Sequence, residues 1–223
     1  FCGLKREDVV NKSLQNTMLG IIINPKSGKR AFRAQRLYLW KLLKARRQPF
    51  IYRVTKYANH AIELARELVE EKGCTQILVL GGDGTLSEVI NGIMRANLTA
   101  EQRANIQFGL MPRGTGNDFA VDVGMADEED PFDIAQYAHG LPTVNVDGTD
   151  YRFINGVGYG IDGYCCEVGD AQKKASDKPV NYTSIAVNGL LFKFKPRNAK
   201  IIIDGKEYDY KKVWIAPTMH GRY

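Results

Sequence analysis

Three short apolar runs in this chain each end in a polar, glycine-bearing loop. LGIII (19–23) runs into NPKSGKR (24–30), QILVL (76–80) into GGDGT (81–85), and IQFGLM (106–111) into PRGTGNDFA (112–120). A short apolar run bounded by turn residues reads as a strand buried on both faces. Segments of helical period separate the runs. Residues 31–46 set Phe32, Leu37, Trp40, Leu42 and Leu43 among Arg and Lys. Residues 58–72 repeat Ala61, Leu64, Ala65, Leu68 and Val69 ahead of Gly73, and LSEVINGIMR (86–95) follows GGDGT. FIYRV (50–54) adds a strand. Strands alternating with helices over short connections specify an α/β fold, a parallel sheet with helices on both faces. Ligands bind such sheets at the C-terminal ends of the strands, where all three loops fall.

The pattern changes near residue 142. Residues 143–148, 151–157, 199–204 and 207–216 read as strands in hairpins, with Asp204-Gly205 a turn and a helical stretch at 181–194 carrying Ile185, Val187, Leu190 and Leu191. The expected organisation is a tail at 1–18, an α/β domain at 19–142 and a β-rich domain at 143–223. VWIAP (213–217) reads as a strand in progress, so the chain is expected to be a fragment with an incomplete second domain.

Of the 223 residues, 44% are hydrophobic and 25% charged, which excludes a largely disordered chain and supplies a core without disulfide or metal staples. The net charge of +6 suits an anionic partner: nucleotide, nucleic acid or acidic lipid. Nucleic acid is disfavoured, because the positive charge is dispersed and no nucleic-acid motif occurs. Cys2, Cys74, Cys165 and Cys166 form no C-x-x-C pair; they read as small buried or half-buried side chains in a reducing compartment. His60, His139 and His220 are scattered, and no metal ligands are assigned. No run reaches about 18 apolar residues, and the N-terminus lacks a signal-peptide core. A cytoplasmic location is expected, and any membrane contact must be peripheral. Lys41–Arg47 and Lys193–Arg197 are candidates to meet anionic headgroups, with plain solvated faces the equal alternative.

GGDGTLSEVING (81–92) follows a strand and opens a helix. Its glycines let backbone N–H groups approach an anion, and the helix adds the positive end of its dipole. Asp83 sits within this anion loop, so it needs either a divalent cation between it and a phosphate or a role as proton acceptor. A tight turn with Asp83 as helix cap is the structural alternative. In NPKSGK, Asn24, Ser27 and Gly28 offer donors, and Lys26 and Lys29 add charge; the spacing is not that of a Walker A loop, and ordinary turn chemistry would also explain it. In PRGTGNDFA, the Thr115 hydroxyl is a candidate ligand contact, Asp118 a candidate cap, and Asn117 and Asp118 are each balanced between the two roles.

In this order and spacing, NPKSGK, GGDGTLSEVING and PRGTGNDFA resemble the diacylglycerol kinase catalytic-domain family, which includes bacterial lipid kinases, sphingosine kinases and ceramide kinases. The resemblance spans roughly residues 19–223, and GGDGTLSEV is more similar to the bacterial-type lipid kinases than to sphingosine kinases. It implies a phosphofructokinase-like nucleotide-binding α/β domain followed by a β-sandwich. It implies ATP contacts from Asn24, Pro25, Lys26, Ser27 and Gly28, from Thr55 in VTKYANHA, from Gly82, Asp83, Gly84, Thr85, Leu86, Ser87 and Glu88, and from Thr115. Asp83 would be catalytic, as a cation ligand or base, and Asp162 in FINGVGYGIDG would match an acidic position on the lipid side, with a strand end where Asp162 caps the next helix as the alternative. The implied activity is transfer of the γ-phosphoryl of ATP, with Mg²⁺, to a lipid alcohol in phospholipid metabolism; a homodimer is left open. The GGG stretch, the N/D-D-G-L magnesium site and the D-G-E general-base segment carried later in the family have no counterpart before Tyr223. The chain as it stands is therefore expected to bind nucleotide and be weakly active or inactive. Two other readings are an NAD-kinase-like small-molecule kinase, which shares GGDG but carries a T-P-T-G-S-T-type stretch absent here, and a non-catalytic nucleotide- or lipid-binding protein.

Overall fold

Alternate residues of the first strand face opposite helical layers. In β1 (Leu19–Ile23), Ile21 and Ile23 pack with Leu78, Leu80 and Met111 under Leu39 and Leu43. Ile22 packs with Ile77 and Val79 against the helices of the other face. Period-two alternation with both faces apolar is what buries a parallel strand completely. The structure is a computed structural model describing residues 18–27, 32–114, 116–126, 130–176 and 180–221.

The sheet has the order β2-β1-β3-β4-β5. β2 (Phe50–Val54), β3 (Gln76–Gly81) and β4 (Gln107–Pro112) run parallel to β1 or to one another, and the short β5 (Phe132–Asp133) is antiparallel at one edge. Helix α1 (Phe32–Ala45) covers one face. Its Trp40 ring stacks on Phe50 with centroids 4.9 Å apart. On the other face lie α2 (His60–Arg66), which widens into a π-turn at Glu67–Glu71, and α3 (Asp83–Met94). Gly73 ends the first of these at φ +63°, as its position predicts. The two helices cross closely: a Cβ on Gly92 would lie 2.5 Å from the Ile62 carbonyl oxygen.

Two compact units are present, one running to Asn155 and including Gly221, the other Gly156–His220. The first unit continues past residue 142 because the hairpin of β6 (Thr143–Val146) and β7 (Thr149–Arg152) is pinned to α3. The buried Asn91 amide donates to the Arg152 carbonyl and accepts from the Arg152 N–H, each at 2.8 Å. The hairpin turns at Asp147-Gly148, both at positive φ, shorter than the 143–148 and 151–157 strands expected from the sequence.

The second unit has strands in two antiparallel pairs. β9 (Arg197–Ile203) pairs with β10 (Lys206–Val213) across an Asp204-Gly205 turn, and β8 (Gly156–Gly160) pairs with β11 (Ile215–Met219). It also holds α7 (Ile161–Ala175) and α8 (Tyr182–Asn188), the latter extended by a π-turn at Gly189–Lys193. (Two short helices, α5 at Asp118–Asp122 and α6 at Ala135–Ala138, and a single turn α4 at Ala100–Ala104, complete the first unit.) Helix α7 has no counterpart in the sequence reading. Its Gly169 serves packing: a Cβ there would meet the Tyr182 ring at 2.6 Å, and the same ring-to-glycine contact recurs between Tyr164 of α7 and Gly189 after α8. Cys74 is buried and Cys165 half-buried as expected, whereas Cys166 is exposed.

Candidate functional site

The strand order reverses direction at β1. The chain goes from β1 outward to β2, then crosses back to β3 on the other side of β1. The loops leaving β1 and β3 therefore diverge, and the gap between them is where an open α/β sheet accepts a ligand.

Three bonds hold the loops in register. The Asn24 amide donates to the Thr85 hydroxyl at 2.9 Å, joining the first loop to the second. Its carbonyl oxygen accepts from the Lys26 N–H at 3.0 Å, a local turn that shapes the Pro25-Lys26-Ser27 segment. Asp83 joins the second loop to the third: its two carboxylate oxygens accept the N–H groups of Asp118 at 3.1 Å and Phe119 at 3.2 Å. Backbones touch at the same junction, where a Cβ on Gly82 would stand 2.7 Å from the Gly114 Cα. Asn117 adopts the left-handed conformation at φ 56° and accepts the Gly114 N–H, at 2.6 Å. Thr55 lies beside Asn24, its N–H bonded to the Ile23 carbonyl at 2.9 Å.

Helix α3 begins at Asp83, not at Leu86 as its apolar period suggested. The earlier start reassigns much of GGDGTLSE. Among the described residues no side chain caps the helix, so the N–H groups of its first turn, at Asp83, Gly84 and Thr85, present the positive end of the dipole to the gap between β1 and β3. Gly84 is exposed, and a Cβ there would touch nothing within 4 Å. Thr85 is buried with its hydroxyl on Asn24. Leu86 is fully buried in the core, so its side chain faces away from any ligand. Ser87 is half-buried and gives its carbonyl to Asn91. The Glu88 carboxylate accepts the N–H groups of Asn59 at 3.0 Å and Ala61 at 3.1 Å, capping α2 from a neighbouring helix. Asp118 is not the cap of α5 but its first residue; the capping oxygens come from Asp83. Gly28, Lys29 and Thr115 lie outside the described residues. Asp162 stands in the first turn of α7, half-buried in the second unit, its carboxylate against Gly158.

The sequence reading missed Asn91 and Gly114, and it named Asn117 without its left-handed conformation. Asn91 carried one signal, a polar side chain set between apolar Ile90 and Ile93 on a buried helix. Among the described residues no group of three His, Cys, Asp or Glu side chains gathers at metal spacing. Mg²⁺ is commonly held by one or two carboxylates together with substrate phosphates. Asp83 fits the part of a single protein ligand, since a carboxylate has about four lone-pair sites and two accept backbone N–H groups here. No helix of the described residues is long and apolar enough to cross a membrane.

The family described as the diacylglycerol kinase catalytic domain matches residues 18–144. A probable YegS-like lipid kinase of Chromohalobacter salexigens is 37% identical over 107 residues, covering 46% of this chain and 32% of that protein. Sphingoid long chain base kinase 5 of Saccharomyces cerevisiae is 37% identical over 122 residues, 52% of this chain and 17% of its own length. A diacylglycerol kinase of Staphylococcus saprophyticus is 42% identical over 100 residues, 44% of this chain and 30% of its own. The matched regions thus span a third or less of these curated relatives. Among solved structures, a putative diacylglycerol kinase from Bacillus anthracis strain Sterne shares the fold with a TM-score of 0.61 at 22% identity, over 95% of this chain and 69% of that one. With the switch-point loops, the uncapped helix and a family match over more than half its length, the chain belongs to the diacylglycerol kinase catalytic-domain family.

Proposed function

We propose that this protein is an ATP-dependent lipid kinase that transfers the γ-phosphoryl group of ATP to a lipid hydroxyl. The observation that carries the reading is the uncapped N-terminus of α3 at the β1/β3 switch point, with the open Gly84 leaving room for a phosphate. The kinase names of the relatives support it. Phosphoryl transfer demands little covalent chemistry from a protein; positioning and charge stabilisation do most of the work. In this reading, backbone N–H groups of Asp83, Gly84 and Thr85 hold phosphate oxygens, and Asn24, Pro25, Lys26, Ser27 and Gly28 contribute nucleotide contacts. Thr55 and Thr115 add hydroxyl contacts, while Glu88 orients α2 rather than touching nucleotide. Mg²⁺ carried with the triphosphate supplies charge neutralisation. Asp83 holds the third loop and offers its remaining lone pairs to the cation or to the acceptor proton. The acceptor alcohol reaches the site from a membrane that the protein touches peripherally.

The test is transfer of labelled γ-phosphate from ATP–Mg²⁺ into a total lipid extract by the protein with its reading frame extended past Tyr223, beside the Asp83→Asn variant. A labelled chloroform-soluble product that the variant fails to make is the expected result. Label confined to water-soluble material would overturn the lipid acceptor, and ATP binding without transfer would overturn the kinase.

A further inference from the structure

The face of the sheet that α1 covers carries a cavity at the end away from the switch-point loops. Leu19, Gln76 and Gln107 stand level as the first residues of β1, β3 and β4. Two residues further on, Leu78 pairs with Gly109, so the floor dips where no side chain rises. These strands, Leu39 and Leu43 of α1 and Phe132 of β5 line a cavity of about 180 Å³. From Gln76 to Gly81, β3 runs about 17 Å, so the cavity and the proposed nucleotide gap lie at opposite edges of the sheet. The cavity's polar groups are few and uncommitted. Gln76 is 7% exposed, and among the described residues its carboxamide takes no hydrogen bond. Arg46 lines the same cavity, is exposed, and forms no ion pair among the described residues. Asp133, the acid of the lining, already accepts the Ala135 N–H at 2.8 Å.

These groups select one kind of ligand. A buried carboxamide without a partner forfeits the hydrogen bonds it makes in water, unless something binds in their place. A carboxylate answers it: an oxygen accepts from the Gln76 Nε2–H, and the Arg46 guanidinium supplies the opposite charge. Leu39, Leu43 and Leu78 offer no polar partner, so the rest of the ligand is apolar. An apolar cavity of about 150 Å³ holds benzene, which sets the body of this ligand at about six to eight carbons. The strand register orients it, with the polar head at the level of Gln76 and the apolar body over Leu78 and Gly109. We propose that this cavity is a second binding site, for a medium-chain monocarboxylate, separate from the nucleotide gap. The proposal stands independently of the lipid-kinase reading.

The test is isothermal titration of the chain with sodium octanoate, with and without ATP, and with octylamine as the cationic control. One saturable site for octanoate is expected, with an affinity that ATP leaves unchanged. Hexanoate should bind on the order of tenfold more weakly, since two buried CH₂ groups are lost, and octylamine should not bind. Two variants are compared, Arg46→Ala and Gln76→Leu. Arg46→Ala should weaken octanoate binding about tenfold at an unchanged thermal midpoint. Gln76→Leu should weaken it about tenfold as well, yet raise the midpoint, because an apolar side chain replaces an unpaired buried amide. A merely structural Gln76 would do the opposite, lowering the midpoint with affinity intact. Arg46 is exposed, so its variant decides the matter even where Gln76→Leu folds poorly. No saturable binding by wild type, octylamine bound as tightly as octanoate, or both variants binding like wild type overturns the proposal. So does displacement of octanoate by ATP, which would place it in the nucleotide gap. Binding that appears only once residues 1–17 are deleted also overturns it, and would assign the cavity to the chain's own leading segment.

Discussion

The Asp83 carboxylate, in the first turn of α3, accepts the backbone N–H of Asp118 in the loop after the neighbouring strand, 3.1 Å away. Its other oxygen takes the Phe119 N–H at 3.2 Å, so one side chain caps α5 from outside. A residue whose chemistry recommends it for catalysis also assembles the site. Asp83→Ala is expected to cost about 1–2 kcal/mol of folding stability, the scale of a lost helix cap. It should also weaken ATP binding, because the third loop loses its tether. Urea unfolding and ATP titration of the same variant check both halves.

Neighbouring glycines in the second loop make a contrast. A Cβ on Gly82 would sit 2.7 Å from the Gly114 Cα, and backbone has little room to yield. Gly82→Ala is therefore expected to force the two loops apart and destabilise the fold by about 1–3 kcal/mol, as overpacking does. At Gly84 a Cβ meets nothing within 4 Å. Gly84→Ala should leave the thermal midpoint near that of wild type, yet lower ATP affinity, since the methyl takes space meant for a phosphate oxygen. Equal losses of stability in both variants would remove Gly84 from the proposed site.

Glu88 belongs to the motif expected to contact nucleotide, but both its oxygens are engaged on Asn59 and Ala61. Asn59 is at φ 69°, in the left-handed region that Asn tolerates. Glu88→Ala should reduce stability by about 1–2 kcal/mol, and it should change ATP affinity far less than Gly84→Ala does. Isothermal titration of the two variants separates them.

Much of the α/β layer was legible because its signals are local. Apolar runs ending in Asn24-Pro25, Gly81-Gly82 and Pro112-Arg113 mark strand ends, and their alternation with helical segments dictates parallel pairing. What the loops do to one another was not legible. The Asp83–Asp118, Asn24–Thr85 and Glu88–Asn59 bonds each join residues far apart in sequence, and nothing in spacing announces them. The start of α3 was misplaced because Gly82 and Gly84 argue against helix on propensity, although tertiary contacts begin the helix at Asp83. That shift of a few residues, at 3.6 per turn, turns Leu86 from the ligand into the core. Helix α7 was hidden for a related reason: Gly163, Gly169 and adjacent cysteines lower its propensity, and Gly169 is there to admit the Tyr182 ring.

Arg53 on β2 and Glu67 in the π-turn after α2 give the fold an acid-sensitive tie. The Arg53 Nε stands 3.1 Å from both Glu67 oxygens. The hydrogen bond to this guanidinium holds the Glu67 carboxyl below its usual range. A group whose folded pKa is depressed stabilises the fold above its unfolded pKa, about 4.3 for Glu. That stabilisation is then lost as the pH falls through the lower folded value. Glu67→Gln removes the titration, so wild type should exceed the variant in stability at neutral pH, by no more than about 1 kcal/mol at this half-exposed position. The two curves should converge below pH ~4. Urea midpoints measured across that range check the sign, and a gap that widens on acidification would refute it.

Asn91 links the parallel sheet's helical layer to the β6–β7 hairpin through paired bonds to the Arg152 backbone. Asn91 is 5% exposed, so its own amide has no water to replace these bonds. Truncation leaves the Arg152 N–H and carbonyl, on a half-buried residue, without these partners, at about 1–3 kcal/mol in all. Asn91→Ala should thus destabilise the first unit more than Glu88→Ala. Because Arg152 anchors the end of β7, hydrogen exchange at the hairpin amides should accelerate ahead of exchange in β1 and β3. Asn91→Asp is the sharper probe. It keeps the acceptor for the Arg152 N–H but sets a carboxylate oxygen against the Arg152 carbonyl. If the hairpin exchanges as slowly in Asn91→Asp as in wild type, the amide's donor bond contributes nothing to holding it.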